Sequence, residues 1–273
     1  MPELPEVETV RRIVAEHIRG KEMIAVEVNH SGVLDGISDA DFSALLLGHA
    51  VEDMKRRGKY LIFCLDDGRE LLLHLRMTGQ LVYFEDDFEQ DKHCHVIVRF
   101  AQGGWFYRDV RRFGRFCPIG VDGKTECGLK KLGLEPMDRQ FTLNYVKDGL
   151  QSRRGPIKSR LLDQEFIAGI GNIYADEILF EARIHPQKPC SELTNCQLKR
   201  LKKAAETVLE EAIAHRGTTF SDYRDGYGRV GGHQEHLKVF HRGGKTCPRC
   251  GETIVTLKCG GRTTSYCPKC QKR

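Results

Sequence analysis

The chain has 273 residues and a formal charge of +5, with 43 Lys and Arg against 38 Asp and Glu. That length suffices for two domains, or one large one, with a core that needs no disulfides. No apolar run approaches the length of a membrane-spanning helix and no targeting segment is visible, and a reducing cytoplasm is the expected compartment. Eleven cysteines is an odd count, which argues against a secreted disulfide framework.

The opening MPELPEVE is stiff and acidic. Val7, Val10, Val14 and Ile18 recur at helical spacing and predict a helix over 5–19. Pro5 suits its first turn, where a missing N–H costs nothing, and Glu6 and Glu8 favour the positive end of the helix dipole. Pro2 and Glu3 are left without a structural reason. From about Glu22 to Gly120 the pattern turns to strands: alternating Ile24, Val26 and Val28, then YLIFCL (60–65), ELLLHL (70–75), HVIVRF (95–100) and WFYRDV (105–110). DDG (66–68) and AQGG (101–104) are hairpin signals, and hairpins of this length predict an antiparallel β-sandwich. The acidic stretch EDDFEQD (85–91) reads as a solvated loop facing away from any polyanion. Beyond Gly133 helices take over in GPIKSRLLDQ, GNIYADEILFEA and a long segment from Ser191 to about Arg216, which Gly217 can stop. Residues 217–233 read as a mobile loop.

The last 41 residues, His233–Arg273, carry nine Lys/Arg and two Asp/Glu, a formal +7, so the remainder sums to −2. A concentrated basic patch points to a polyanion or to a solvated surface. CPRC (247–250) and CPKC (267–270) are two C-x-x-C knuckles sixteen residues apart, with a Gly-Gly turn at 260–261 between strand-like runs. Four thiolates from Cys247, Cys250, Cys267 and Cys270 close one tetrahedral, structural zinc site with no open position; redox cysteines are the competing reading. Cys64, Cys94, Cys117, Cys127, Cys190, Cys196 and Cys259 read as ordinary thiols.

Removal of Met1 would leave Pro2 as a secondary amine. An α-amino group titrates at about 7.7–8, so part of it is unprotonated near neutrality and free to attack a sugar carbon, and Glu3 is placed to move the protons. The competing reading is a structural N-terminus.

PELPEVE, RRGKYLIF, HLRMTGQ, DVRRFG, GIGNIYADEILF and GRTTSYCPKCQ, in this order from end to end, resemble the bacterial formamidopyrimidine-DNA glycosylases, also called 8-oxoguanine DNA glycosylase/AP lyases. The resemblance implies an α+β chain: an N-terminal helix plus antiparallel β-sandwich over 1–132, a helix-two-turn-helix domain with a lesion-capping loop over 133–232, and a zinc β-hairpin over 233–273. It implies a monomer that binds double-stranded DNA holding an oxidised base or abasic site, in a basic cleft between the domains, with one structural Zn²⁺. Pro2 matches the family's nucleophile, Glu3 its acid/base partner, and Lys59 a lysine near phosphate and sugar assigned to β-elimination. Arg262 matches the arginine that grips phosphates and is assigned to δ-elimination. Glu6 matches a supporting carboxylate, although a helix-start charge explains it equally. Met77, Arg111 and Phe113 match the residues that fill the space left by an extruded nucleotide. His74 and His93 approach phosphates or are ordinary hydrogen-bonded histidines. Asn172, in the glycine turn GIGNIY, matches a phosphate contact at a helix start, and Arg154 and Lys158 match a basic stretch at the DNA. Thr218, Thr219 and Tyr223 lie in the loop that closes on the flipped base. Three positions depart from the family pattern: Thr263 where Gly or Ser is usual, Thr78 where several relatives carry Glu, and His241 near a frequent Gly. The expected activity is excision of oxidised purines followed by β,δ-elimination. Two alternatives are a sister enzyme selective for oxidised pyrimidines and a non-enzymatic zinc-finger DNA-binding protein; the latter leaves Pro2, Glu3 and Lys59 unexplained together.

Overall fold

The computed structural model describes residues 1–119 and 128–273. Contacts divide the chain into two units, one of Met1–Lys130 with His215–Gln234 and one of Lys131–Ala214 with Glu235–Arg273. The expected boundaries differ in two respects. Residues 215–232, read as the end of the helical domain, and 233–234, read as the start of the zinc-hairpin domain, fall in the first unit, and the rest of the zinc-hairpin domain shares a unit with the helices.

In the first unit α1 (Leu4–Ile18) begins one residue before the predicted start, with Glu3 as N-cap and Pro5 in the first turn. Its apolar stripe of Val7, Val10, Val14 and Ile18 is fully buried. β1 (Ala25–Val28) and α2 (Asp39–Leu46) follow, then β2 (Val51–Arg57), β3 (Tyr60–Leu65), β4 (Glu70–His74), β5 (Gly79–Phe84), β6 (Cys94–Arg99), β7 (Gly104–Asp109) and β8 (Arg115–Ile119). They form two four-stranded sheets, ordered β1-β6-β7-β5 and β2-β3-β4-β8, whose ladders are all antiparallel. Leu61, Phe63, Leu71, Leu73, Leu81, Val96, Val98, Trp105, Tyr107 and Phe116 fill the sandwich together with the α1 stripe. Burying one such side chain stabilises the fold by about 1.5–3 kcal/mol, so this layer is what holds the helix start in place.

The strands expected from apolar runs are β1, β3, β4, β6 and β7. Sequence pattern misses β2, whose VEDMKRR has five charges in seven residues. It is an edge strand, made by pairing with β3 across the Gly58-Lys59 turn. The loop 217–232 is closed at its neck, since His233 N–H donates to the Gly217 carbonyl at 3.0 Å and Gly232 N–H to that of His215 at 2.9 Å. Tyr83 N–H of β5 donates to the Gly226 carbonyl at 2.9 Å, so the loop covers an open sheet edge.

The second unit holds α3 (Leu143–Gln151), α4 (Ile157–Leu161), α5 (Asn172–Glu181), α6 (Asn195–Ala214) and the hairpin β9 (Val255–Cys259) and β10 (Arg262–Tyr266). Gly260 and Gly261 form its two-residue turn with φ of 57° and 73°, the doubly left-handed conformation that the Gly-Gly pair adopts without strain. No helix among the described residues is long and apolar enough to cross a membrane. Cys117, expected as an ordinary thiol, is disulfide-bonded, and Cys127 lies outside the described residues.

Candidate active site

In the first unit the site grows from the start of α1. Pro2 and Glu3 are buried while Met1 is half exposed. Glu6, at 1% exposure, holds this end of the chain. Its Oε2 accepts the Glu3 N–H at 2.8 Å, and its carboxylate also accepts the Thr218 N–H at 2.7 Å from the closed loop. Gly217 makes this approach possible: with φ of 74°, a Cβ there would stand 2.7 Å from Glu6 Oε1. Tyr223 is buried, and its hydroxyl proton is shared between the carbonyls of Arg216 at 3.2 Å and Glu6 at 3.4 Å, with Thr9 as a further side-chain partner. Glu6 is therefore more than a helix-start charge; it ties residue 3 to the 217–218 turn.

Glu8, one turn further, gathers three guanidinium groups: Arg11 at 2.8 Å, Arg12 at 2.7 Å and Arg56 at 3.0 Å. Burial pushes this carboxyl up, but the arginines outweigh it and hold it at about 2. Arg56 also donates to the Gly58 carbonyl at 3.1 Å, so one carboxylate on α1 fixes the hairpin turn that carries Lys59. Gly58 is left-handed at φ 57° and Lys59 is not, the pattern of a II′ turn, which explains Gly-Lys at this spacing. Lys59 is 6% exposed and flanks Tyr60, which pairs with His74 across β3 and β4. His74 is buried, and burial, with Arg76 and Lys59 nearby, lowers it to about 3, so the ring is neutral. Its Nδ1 accepts the Arg76 N–H at 2.9 Å, which leaves its proton on Nε2. His93 is half-buried and ties its backbone to Asp91 at 2.9 Å.

Met77 and Phe113 are 40% and 46% exposed, in loops where Arg76 and Arg112 have φ of 53° and 56°. The Arg111 guanidinium lies 4.5 Å from the Phe113 ring centre. Two exposed apolar tips beside a stacked cation suit insertion between bases.

In the second unit Arg262 is exposed at the hairpin turn and Arg154 is exposed ahead of α4. Asn172 opens α5 and donates to the Thr263 carbonyl at 3.2 Å. Lys158 corrects an expectation. Its side chain has no exposed surface, and its Nζ lies 2.6 Å from Asp176 and 2.7 Å from the Thr264 hydroxyl. A lysine spent on a buried carboxylate cannot neutralise a phosphate directly. Among the departures, His241 has φ 55°, a backbone region that favours glycine, and Lys258 donates to the Thr263 hydroxyl at 2.8 Å.

The sulfur atoms of Cys247, Cys250, Cys267 and Cys270 lie within 4.8 Å of one another. Zn–S bonds of about 2.3 Å in a tetrahedron put sulfurs about 3.8 Å apart, so the set fits one structural zinc. Helix α5 anchors this hairpin, a role the sequence reading missed. Glu177 accepts the backbone N–H groups of Lys238, Val239 and Phe240 at 2.8–2.9 Å. Asp176 accepts that of Ser265 at 2.9 Å, and Arg249 of the first knuckle donates to Glu181 at 2.9 Å. The available signal was ADE inside an otherwise apolar helix.

Residues 1–116 match the model of the formamidopyrimidine-DNA glycosylase N-terminal domain, 132–224 that of the formamidopyrimidine-DNA glycosylase H2TH domain, and 244–273 that of the zinc finger found in FPG and IleRS. The formamidopyrimidine-DNA glycosylase of Desulforamulus reducens is 44% identical over 275 residues, with 100% of this chain and 99% of the relative covered. The chain belongs to the formamidopyrimidine-DNA glycosylase family. It is thus a DNA glycosylase of base excision repair whose partner is DNA and whose C-terminal hairpin is a zinc finger. Among solved structures, Lactococcus lactis Fpg in complex with abasic-site DNA has a TM-score of 0.92 at 36% identity, covering 99% of this chain and 100% of that one. The G226P mutant of the same protein with Fapy-dG DNA has a TM-score of 0.91 at 36% identity, covering 100% of both.

Proposed function

We propose that this glycosylase excises oxidised purines, 8-oxoguanine and formamidopyrimidines, through a Schiff base on Pro2 and then cuts the strand as an AP lyase. After loss of Met1 the Pro2 nitrogen attacks C1′ as the bond from C1′ to the base breaks and the base leaves with the amine's proton; the C1′–O4′ ring bond then opens, O4′ takes a proton, and an iminium joins enzyme and sugar. Glu3 moves protons at the sugar. Loss of a C2′ proton then breaks the C3′–O bond and expels the 3′ phosphate, and loss of the C4′ proton breaks the C5′–O bond and expels the 5′ phosphate. Lys59 serves the first elimination, and Arg262 holds phosphate for the second with a fork that fits two oxygens. Met77, Arg111 and Phe113 fill the space that the extruded nucleotide leaves, and Arg154 and Asn172 contact the backbone of the DNA.

The observation that carries this reading is the double grip of Glu6 on the Glu3 N–H and the Thr218 N–H, which fixes the residue next to the amine in a buried setting. A mutant of the Lactococcus lactis relative is solved with Fapy-dG DNA and the wild-type relative with oxidised-pyrimidine DNA, so the choice between the two substrates rests on the release assay below. Borohydride reduction during turnover of an 8-oxoguanine duplex should trap a covalent adduct, lost when the N-terminus is extended. No adduct from competent, cleaving enzyme would remove Pro2 as nucleophile. Preferential release of thymine glycol over 8-oxoguanine would instead favour the oxidised-pyrimidine reading.

A further inference from the structure

The loops that carry Met77 and the Arg111–Phe113 pair meet at a carboxylate for which the chemistry above has no use. Asp109, the last residue of β7, has no exposed surface. Its Oδ1 accepts the Thr78 hydroxyl and, at 3.2 Å, the Arg111 N–H. Its Oδ2 accepts the Tyr107 hydroxyl and the Gly114 N–H, each at 2.9 Å. Its backbone carbonyl is bonded to His95 Nε2 at 2.7 Å. Thr78 follows Met77 directly, is itself buried, and accepts the Arg111 N–H at 3.3 Å. The two loops also approach without side chains: a Cβ on Gly79 would stand 2.8 Å, and one on Gly114 1.8 Å, from the Tyr107 hydroxyl. Burial works against the charge on Asp109, yet these four donors outweigh it and keep the carboxyl below its ordinary range.

We propose that Asp109 is a positioning residue that, through the Thr78 hydroxyl, locks the Met77 loop to the Arg111–Phe113 loop, so that wedge and guanidinium meet the duplex as one preassembled set. Without the link each loop must order at the moment of binding, which weakens the duplex complex. The inference rests on the reading of Met77, Arg111 and Phe113 as duplex-filling groups, and the experiment separates the two. Thr78→Val removes the hydroxyl at nearly constant shape, Thr78→Ser keeps it, and Asp109→Asn removes the charge; Met77→Ala and Phe113→Ala test the loops themselves. Each is assayed for single-turnover base release and KM on 8-oxoguanine duplex, and for cleavage of a single-stranded abasic oligonucleotide, which has no space to fill.

Loss of a hydrogen bond to a charged acceptor predicts that Thr78→Val slows duplex release roughly tenfold, mainly through KM. Single-strand cleavage should stay at the wild-type level, and Thr78→Ser should restore the duplex rate. Thr78→Val that keeps the wild-type duplex rate, or that loses both substrates equally, overturns the proposal even if Asp109→Asn fails to fold. If Met77→Ala and Phe113→Ala show no duplex-selective loss, the loop reading itself fails and the proposal falls with it.

Discussion

Replacing Lys158 with Met separates a buried structural lysine from one that touches DNA. The change leaves the Asp176 carboxyl in place at 0% side-chain exposure without its ammonium partner. Breaking one side of a buried pair costs about 3–5 kcal/mol, because the carboxyl left behind must either stay charged with neither water nor counter-charge or take up a proton. At roughly 2–4 °C per kcal/mol for a chain of this size, the melting temperature should fall by roughly 6–20 °C. The loss should grow with pH. Burial already raises Asp176 from 3.8 to about 7 even beside Lys158. Without the ammonium the folded carboxyl holds a proton that the unfolded chain has released, so stability falls as pH rises above the unfolded value. Lys158→Met should therefore be less damaging at pH 5 than at pH 8. A double change with Asp176→Leu should recover only part of the loss, since the Ser265 N–H then has no acceptor. Calorimetry across pH gives these quantities, and binding to an abasic duplex across salt gives the complementary one. A lysine on a phosphate would lower the salt slope by about 0.9, whereas a buried one leaves the slope of the folded variant unchanged. An unaltered melting temperature with a reduced slope would refute the reasoning.

Glu8→Gln should destabilise the protein at pH 7 by about 1–2 kcal/mol, since the carboxyl's lowered value makes its contribution complete above its ordinary 4.5 and lost as pH falls through about 2. Urea titrations at several pH values should show the gap to wild type closing in acid, and a gap constant with pH would count against the Arg56 cluster. Gly114→Ala should cost about 1–3 kcal/mol by overpacking, as its Cβ falls on the Tyr107 hydroxyl; unchanged urea unfolding would mean that the loop shifts freely. Metal analysis should find one zinc per chain and none in Cys247→Ser, with DNA binding weakened as the finger loses its fold. Full zinc in that variant would exclude Cys247 as a ligand.

Several features were legible because their chemistry is local. The apolar and aromatic runs at 60–65, 95–100 and 105–110 became β3, β6 and β7, the valine stripe became the buried face of α1, and the paired knuckles came together around a Gly-Gly turn. Edge strand β2 was not legible, because its charges obey no alternation and its pairing is set by the turn at Gly58-Lys59. Lys158 was misread for a similar reason. GPIKSR looks like a basic surface stretch, and the side chain's fate depends on Asp176, eighteen positions away, and on Thr264 in the hairpin.

The linear chain by itself determined the helix at the N-terminus, the sandwich, the zinc ligands and the family, since each rests on short local runs of particular residue types. Only the tertiary structure decided what the isolated acids do. Glu6 bridges residues 3 and 218, Asp109 joins two loops, and Glu177 holds the chain leading into the finger. A buried carboxylate must find donors wherever the fold supplies them, and those donors come from backbone N–H groups and hydroxyls that carry no mark in the sequence.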